Sequence, residues 1–254
     1  MNVTAPIKTN SFLESSPKLW SHTSEGNSME NSAPKEKITL FWSSGKESLL
    51  ALCALGRHES FEVSSLLTTV NFSGRVYLHG IPGELLKKQA KSLGLPLKTL
   101  PLASLPTSDE QERTLRQALM QYKQEGINHV AFGDVSNIKI KTHREKLLAS
   151  FGMKAIFPLW EKKSHELVRA FIDLGFKAVA TCVDPKVLNR SFAGRSIDND
   201  FLKDLPKGIS PCGENSEFHA FVHDGPIFSE PVTFKKNTVV LRDNLYFCEL
   251  SPLG

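Results

Sequence analysis

Along residues 37–184 the chain alternates short, apolar, β-rich runs with longer helical ones, and this alternation limits the possible folds more than any other feature. The runs "KITLFWS", "FEVSSLLTTVN", "LPLKTLPL", "INHVAFGDV", "KAIFPLW" and "KAVATCVD" read as strands. Between them "SLLALCALG" reads as a helix closed by Gly56, and "GELLKKQAKSLG" as a second helix. "SDEQERTLRQALMQYKQEG" opens with Ser108 and Gln111 spaced as a capping box, and "THREKLLASFG" and "SHELVRAFIDLG" complete the helices. Repeated βα units predict an α/β fold, a mainly parallel sheet with helices on both faces, whose ligands lie beyond the carboxyl ends of the strands.

The two ends of the chain break this pattern. Residues 1–35 are rich in Ser, Asn, Thr and Pro with no apolar period, the composition of a flexible tail. Near the other end, "VTFKKNTVVLRDNLYFCEL" has turn signals at Lys236-Asn237 and Asp243-Asn244, which predicts a small antiparallel meander. That meander is expected to finish a smaller C-terminal α/β subdomain over 158–254, beginning near Pro158, and residues 36–157 form the first domain.

Several function classes fall away on composition. A net charge of +4 suits an enzyme handling anionic nucleotides and gives no strong nucleic-acid signal. Cys53, Cys182, Cys212 and Cys248 are scattered without a CxxC pair, so neither a zinc site nor a dithiol is indicated, and reduced thiols of a cytoplasmic protein are the default. No stretch approaches the roughly 20 apolar residues of a membrane span.

The stretch "WSSGKESLL", residues 42–50, lies between the first strand and the first helix. It has the glycine, lysine and hydroxyls of a phosphate loop. The Walker A pattern nevertheless requires Gly at 40 and Ser or Thr at 47, where the chain has Leu40 and Glu47. Ser43, Ser44, Gly45 and Ser48 place small side chains and backbone donors at a helix N-terminus, which favours an anion. Lys46 adds a cation, and Glu47 is a residue to hold a metal or fix the loop. The bland alternative is a tight turn capped by serine.

Two further segments concentrate polar groups. "FGDV" puts Gly133 and Asp134 at a strand end, where the carboxylate suits Mg²⁺ or nucleotide as well as an ordinary turn. His143, Arg144 and Glu145 read as a solvated helix face, with Arg144 a modest candidate for phosphate. "PCGENSEFH" gathers Cys212, Gly213, Glu214, Asn215, Glu217 and His219 in one loop, which either satisfies a buried turn or binds a ligand. Cys212 and His219 also suggest a nucleophile and base, but no third member is evident, and Cys212 reads better as a structural thiol. Cys182 reads as core.

"SSGKES" resembles the SGGxDS pyrophosphate loop of the N-type ATP pyrophosphatases. With "LHGIPGELLKKQAKSLGLPL", "VAFGDV", "FPLW", "AFIDLGFKAVATCVDP", "FAGRSID" and "GISPCGENSEFHAFVHDGPIF" in order, residues 37–250 resemble the diphthine–ammonia ligase family, in the shape of its bacterial-type single-unit members. The resemblance implies an adenine nucleotide alpha hydrolase-like ATP-binding domain followed by an acceptor-binding one. It also implies a reaction: a carboxylate is adenylated and ammonia displaces AMP. The implied cofactors are ATP and Mg²⁺, and in that family the acceptor is a modified histidine of translation elongation factor 2.

Carried onto this chain, the resemblance gives ATP contacts to Ser43, Ser44, Gly45, Lys46, Glu47, Ser48, Gly133 and Asp134, with Glu47 and Asp134 on the metal. It gives acceptor contacts to Cys212, Gly213, Glu214, Asn215, Glu217 and His219, and catalytic roles to Glu47, Asp134 and Glu217. Ser44 and Ser216 stand where the family motifs usually have Gly, and Glu47 where they have Asp. Ser44 would be strained at positive φ. A tRNA-modifying ATP pyrophosphatase and a non-catalytic nucleotide-binding regulator share the same loop and remain as alternatives.

Overall fold

The structure, a computed structural model, describes residues 34–71, 73–76, 79–102 and 108–253. Most of the N-terminal tail, 1–33, lies outside the described residues, as do the side chains of Ser108 and Gln111 on which the capping box depends.

Five strands form a parallel sheet: β1 (Glu36–Phe41), β2 (Phe61–Asn71), β3 (Leu97–Leu102), β4 (His129–Ala131) and β5 (Lys154–Ile156), in the order β3-β2-β1-β4-β5. The order reverses between β1 and β4, so the loops leaving those two strands diverge and leave a crevice beyond their carboxyl ends.

The connecting helices take both faces. Ile38, Leu40 and Leu66 point to a cluster that includes α1 (Lys46–Gly56) and α2 (Gly83–Ser92). Leu67 and Val130 point the other way, to Ala118, Leu119 and Tyr122 of α3 (Ser108–Gln124) and Leu147 and Leu148 of α4 (Ile138–Ala149). Helix α1 is apolar nearly all round because it is buried nearly all round, contacting β2, the later strand Phe218–Asp224 and the later helix Ser164–Asp173 as well as its own strand. It ends at Gly56, yet Gly56 is not the left-handed residue a terminal glycine suggests; the cap is Arg57 at φ −92°.

Helix α5 (Ser164–Asp173) and strand β6 (Lys177–Val183) continue the alternation in sequence, but β6 leaves the parallel sheet. It pairs antiparallel with β7 (Phe218–Asp224) and β9 (Leu245–Pro252), and β8 (Phe234–Arg242) closes a four-stranded sheet in the order β7-β6-β9-β8. A short helix α6 (Asn199–Asp204) precedes the loop into β7. The β8–β9 turn falls at Asp243-Asn244 as predicted, both residues at positive φ (51° and 59°) as a two-residue hairpin turn requires. The turn signal at Lys236-Asn237 is not a turn: it lies inside β8, where the register shifts between Lys236 and Val239, and the one extra residue is absorbed as a bulge.

Both sheets pack onto one continuous apolar cluster. Ile38 and Leu40 of β1 belong to it with Val179 of β6 and Phe221 of β7.

Candidate active site

Strand β1 runs through the fully buried Trp42 into the loop Ser43–Gly45, which leads directly into α1 at the mouth of the crevice. Within the loop Ser48 Oγ donates to the Gly45 carbonyl (2.9 Å) and lies 3.2 Å from Ser43 Oγ, so two of its hydroxyls bind each other and the backbone. Ser44 carries the sharp bend, at φ 68°. It is fully buried, and its hydroxyl has no partner among the described residues. Gly45 itself is extended, at φ −93°, so its lack of a side chain serves space: a Cβ there would lie 3.3 Å from the Ala220 carbonyl oxygen.

Lys46 departs from its sequence reading. Its side chain is 2% exposed and turns toward the second sheet, donating to the Cys212 carbonyl at 2.6 Å. Its Nζ also sits 2.9 Å from Glu47 Oε1 and 4.6 Å from the centre of the Phe218 ring. The lysine therefore locks the loop to the strand β7 approach and balances Glu47, which keeps a quarter of its side chain exposed.

Across the crevice, Gly133 follows β4 and abuts the first turn of α1: a Cβ on it would come 2.9 Å from the Glu47 carbonyl carbon and 3.0 Å from the Ser48 nitrogen. Gly133 and the phosphate loop are thus brought into backbone contact, and Asp134 is the next residue. Asp134 is ion-paired with Arg144. Arg144 is accordingly no part of a solvated face: its guanidinium lies 4.2 Å over the Phe132 ring, and burial lowers it to about 10, still cationic at neutral pH. His143 and Glu145 are exposed, as expected.

The loop ahead of β7 is organised around two carboxylates. Glu217, buried, accepts from the backbone nitrogen of Asn215 (2.9 Å), from Asn215 Nδ2 (3.0 Å) and from the Ser210 nitrogen (3.4 Å). Burial pushes its carboxyl up, but these donors outweigh it and hold Glu217 below the usual carboxylate range. That makes Glu217 and Asn215 the internal brace of the loop, where the sequence had suggested acceptor contact. Glu214, exposed, gathers three hydroxyls: Ser164 (2.6 Å) and Ser210 (3.1 Å) on Oε1, and Ser136 (3.1 Å) on Oε2. Ser136 belongs to the loop after β4, so Glu214 spans from the crevice to the second sheet. Ser216 turns the loop at φ 68°. Gly213, at φ 67°, leaves no room for a Cβ, which would meet the Phe218 carbonyl oxygen at 2.5 Å.

Cys212 is buried, its thiol pushed up to about 12 by burial and by Glu47, with Sγ donating to the Ser164 carbonyl (3.2 Å). It is a structural thiol and no nucleophile at neutral pH. His219 lies against His79, with ring centres 4.4 Å apart and ring planes tilted by 34°. Burial lowers His219 to about 4, with Lys46 adding to the effect, and His79 is lowered by burial, His219 and Lys46, so both rings are neutral at pH 7.

Two residues at this site escaped the sequence reading, His79 and Gln89. Gln89 is fully buried on α2 and binds Trp42 Nε1 (2.7 Å), the Ser44 carbonyl (3.2 Å) and the Val222 carbonyl (2.6 Å). Its signal was legible: a polar residue on the stripe otherwise made of Leu85, Leu86 and Ala90. Among the described residues no three His, Cys, Asp or Glu side chains cluster as a metal site, and no helix is long and apolar enough to cross a membrane.

Comparison with known proteins agrees with this anatomy. The family model of the diphthamide synthase N-terminal domain matches residues 36–155 and that of the diphthamide synthase C-terminal domain residues 163–249. The diphthine–ammonia ligase of Homo sapiens is 22% identical over 239 residues, covering 85% of this chain and 90% of that protein. That of Danio rerio is 24% identical over 183 residues, 65% of this chain and 69% of that protein. That of Schizosaccharomyces pombe is 27% identical over 125 residues, and this chain spans only 21% of its length. Among solved structures, the U34-tRNA thiolase NcsA of Methanococcus maripaludis with its 4Fe–4S cluster is 18% identical at a TM-score of 0.34, covering 54% of this chain and 55% of that one, a likeness too slight to support an argument. On the two family models, which together take in most of its length, the chain belongs to the diphthamide synthase family.

Proposed function

We propose that this chain is an ATP-dependent amide-forming ligase of the diphthine–ammonia ligase kind. ATP lies with its phosphates on residues 43–48 and beside Gly133 and Asp134, on the domain of residues 36–157. The acceptor lies against the 212–219 loop on the domain of residues 158–254. A carboxylate oxygen of the acceptor attacks the α-phosphorus and pyrophosphate leaves; ammonia then attacks the acyl carbon and AMP leaves, giving the amide. The acceptor is a carboxylate on a protein, in the family's terms a modified histidine of a translation factor, which puts the reaction in the cytoplasm.

The observation that carries this reading is the backbone contact between Gly133 and the first turn of α1, which opens the switch-point crevice onto the helix N-terminus. There the unsatisfied N–H groups of α1 stabilise the negative charge that develops on the leaving pyrophosphate, while Lys46 holds the loop in place from behind through the Cys212 carbonyl. Glu47 and Asp134 are the residues to hold Mg²⁺ that arrives on the nucleotide, since such an ion takes only one or two protein carboxylates and completes its shell from phosphate and water. Bound there, it would neutralise phosphate charge.

One observation favours a second reading, a nucleotide-binding regulator without turnover: Glu47 and Asp134 are each already matched by a cation, Lys46 and Arg144. Incubation with ATP, Mg²⁺, ammonium and cell extract separates the two. AMP and pyrophosphate with an amidated product support the ligase; binding without cleavage supports the regulator; ADP and phosphate alone would reject both.

A further inference from the structure

The phosphate loop does not hold its own shape. Its most strained residue, Ser44, is at φ 68°, a conformation an L-residue keeps only when its surroundings enforce it. The enforcement comes from outside the loop. The Ser44 carbonyl accepts from the Val222 nitrogen of β7 at 3.0 Å and from Gln89 Nε2 at 3.2 Å. The same Gln89 Nε2 donates to the Val222 carbonyl at 2.6 Å, and its Oε1 accepts from Trp42 Nε1 at 2.7 Å. One buried amide thus satisfies the residue before the loop, the bend of the loop and the strand of the second sheet, with both protons and its oxygen in use.

We infer that Gln89 is a positioning residue that fixes the phosphate loop against β7, so that the loop and the acceptor-side strand take up their working geometry together. Strand β7 follows the 210–217 loop without a break, and Lys46 already ties that loop to α1 through the Cys212 carbonyl. A shift of β7 is therefore passed to Ser44 by two hydrogen bonds, and among the described residues only Gln89 hydrogen-bonds to Trp42, Ser44 and Val222 together.

This inference rests on the reading of residues 43–48 as the ATP site, and its test is chosen to keep the two apart. Amide hydrogen exchange is followed in the full chain without nucleotide, in wild type and in Gln89→Met, which keeps the volume and removes the hydrogen bonds. The Val222 amide should exchange at least about 10-fold faster in the variant, the cost of a buried hydrogen bond, with the amides of β4 unchanged. Unchanged exchange at Val222 overturns the inference whether or not ATP binds. With ATP, calorimetry on the same variant should show affinity weakened by about 10-fold or more; affinity within twofold of wild type in a folded variant also overturns it. Should Gln89→Met fail to fold, Gln89→Glu serves: its ionised form opposes two carbonyls, its protonated form restores a donor. Relative to wild type at each pH, Val222 protection and ATP affinity should both recover between pH 8 and pH 6, and equal defects at both overturn the inference. Absence of ATP binding to wild type removes the proposed function, and the exchange data still decide the role of Gln89.

Discussion

Lys46 donates to the carbonyl of Cys212 at 2.6 Å from a position 2% exposed to solvent, so a loop lysine spends its charge inside the protein. Lys46→Met leaves the Cys212 carbonyl without that donor and Glu47 without its counter-charge. Stability should fall by about 2–3 kcal/mol, read by urea denaturation. A loss under about 0.5 kcal/mol would mean that water replaces the amine at no cost.

Ser44 and Ser216 both sit at φ 68°, the left-handed region that favours glycine. Ser44→Gly relieves the backbone and removes a buried hydroxyl with no described partner, against the entropy gained by the unfolded chain. We expect a net gain of about 1 kcal/mol with ATP affinity retained, and a smaller gain, about 0.5 kcal/mol, for the exposed Ser216→Gly. Thermal melting checks both; a fall in melting temperature for Ser44→Gly would show that its hydroxyl has work to do.

The order of strands and helices and the position of the turn between β1 and α1 were legible in the sequence, because alternation of period and a glycine-bearing strand-to-helix turn are local signals. The partners of the site were not. Arg144 lies ten residues beyond Asp134 on α4, and only the crossover brings them together. Glu217 looked like a ligand contact because density of polar residues does not reveal which of them face inward; Asn215 two residues away claims it. The departure of β6 from the parallel sheet left no mark in "KAVATCVD", whose apolar run suits a buried strand of either direction.

Gly133→Ala tests the backbone contact that forms the crevice. Its methyl must displace main-chain atoms of Glu47 and Ser48 at about 3 Å, and main chain at a helix start gives little. A stability loss of about 1–3 kcal/mol is expected, together with ATP affinity lowered at least about 10-fold, measured by denaturation and calorimetry. Full ATP affinity would move the nucleotide away from this strand end.

The His79–His219 pair predicts a pH dependence. Both rings have folded values below the unfolded one, His219 at about 4 against 6.5, so the unfolded chain binds more protons in between. Stability is complete above about pH 6.5 and declines as pH falls toward 4, with His219 contributing at most about 1.4 kcal/mol per pH unit. Lys46, which faces the pair, steepens the decline, and the Glu217 charge opposes it. Urea midpoints at pH 7.5, 6 and 5 should fall in wild type and fall less in His219→Gln; parallel lines for the two would assign the loss to other groups.

Because Ile38 and Leu40 of the parallel sheet and Val179 and Phe221 of the antiparallel one share a single apolar cluster, the boundary that the family models draw near residue 160 is not a boundary in the interior. A gene divided there would yield two halves, each with an oily face laid bare, and neither could be traded to another protein as a working module.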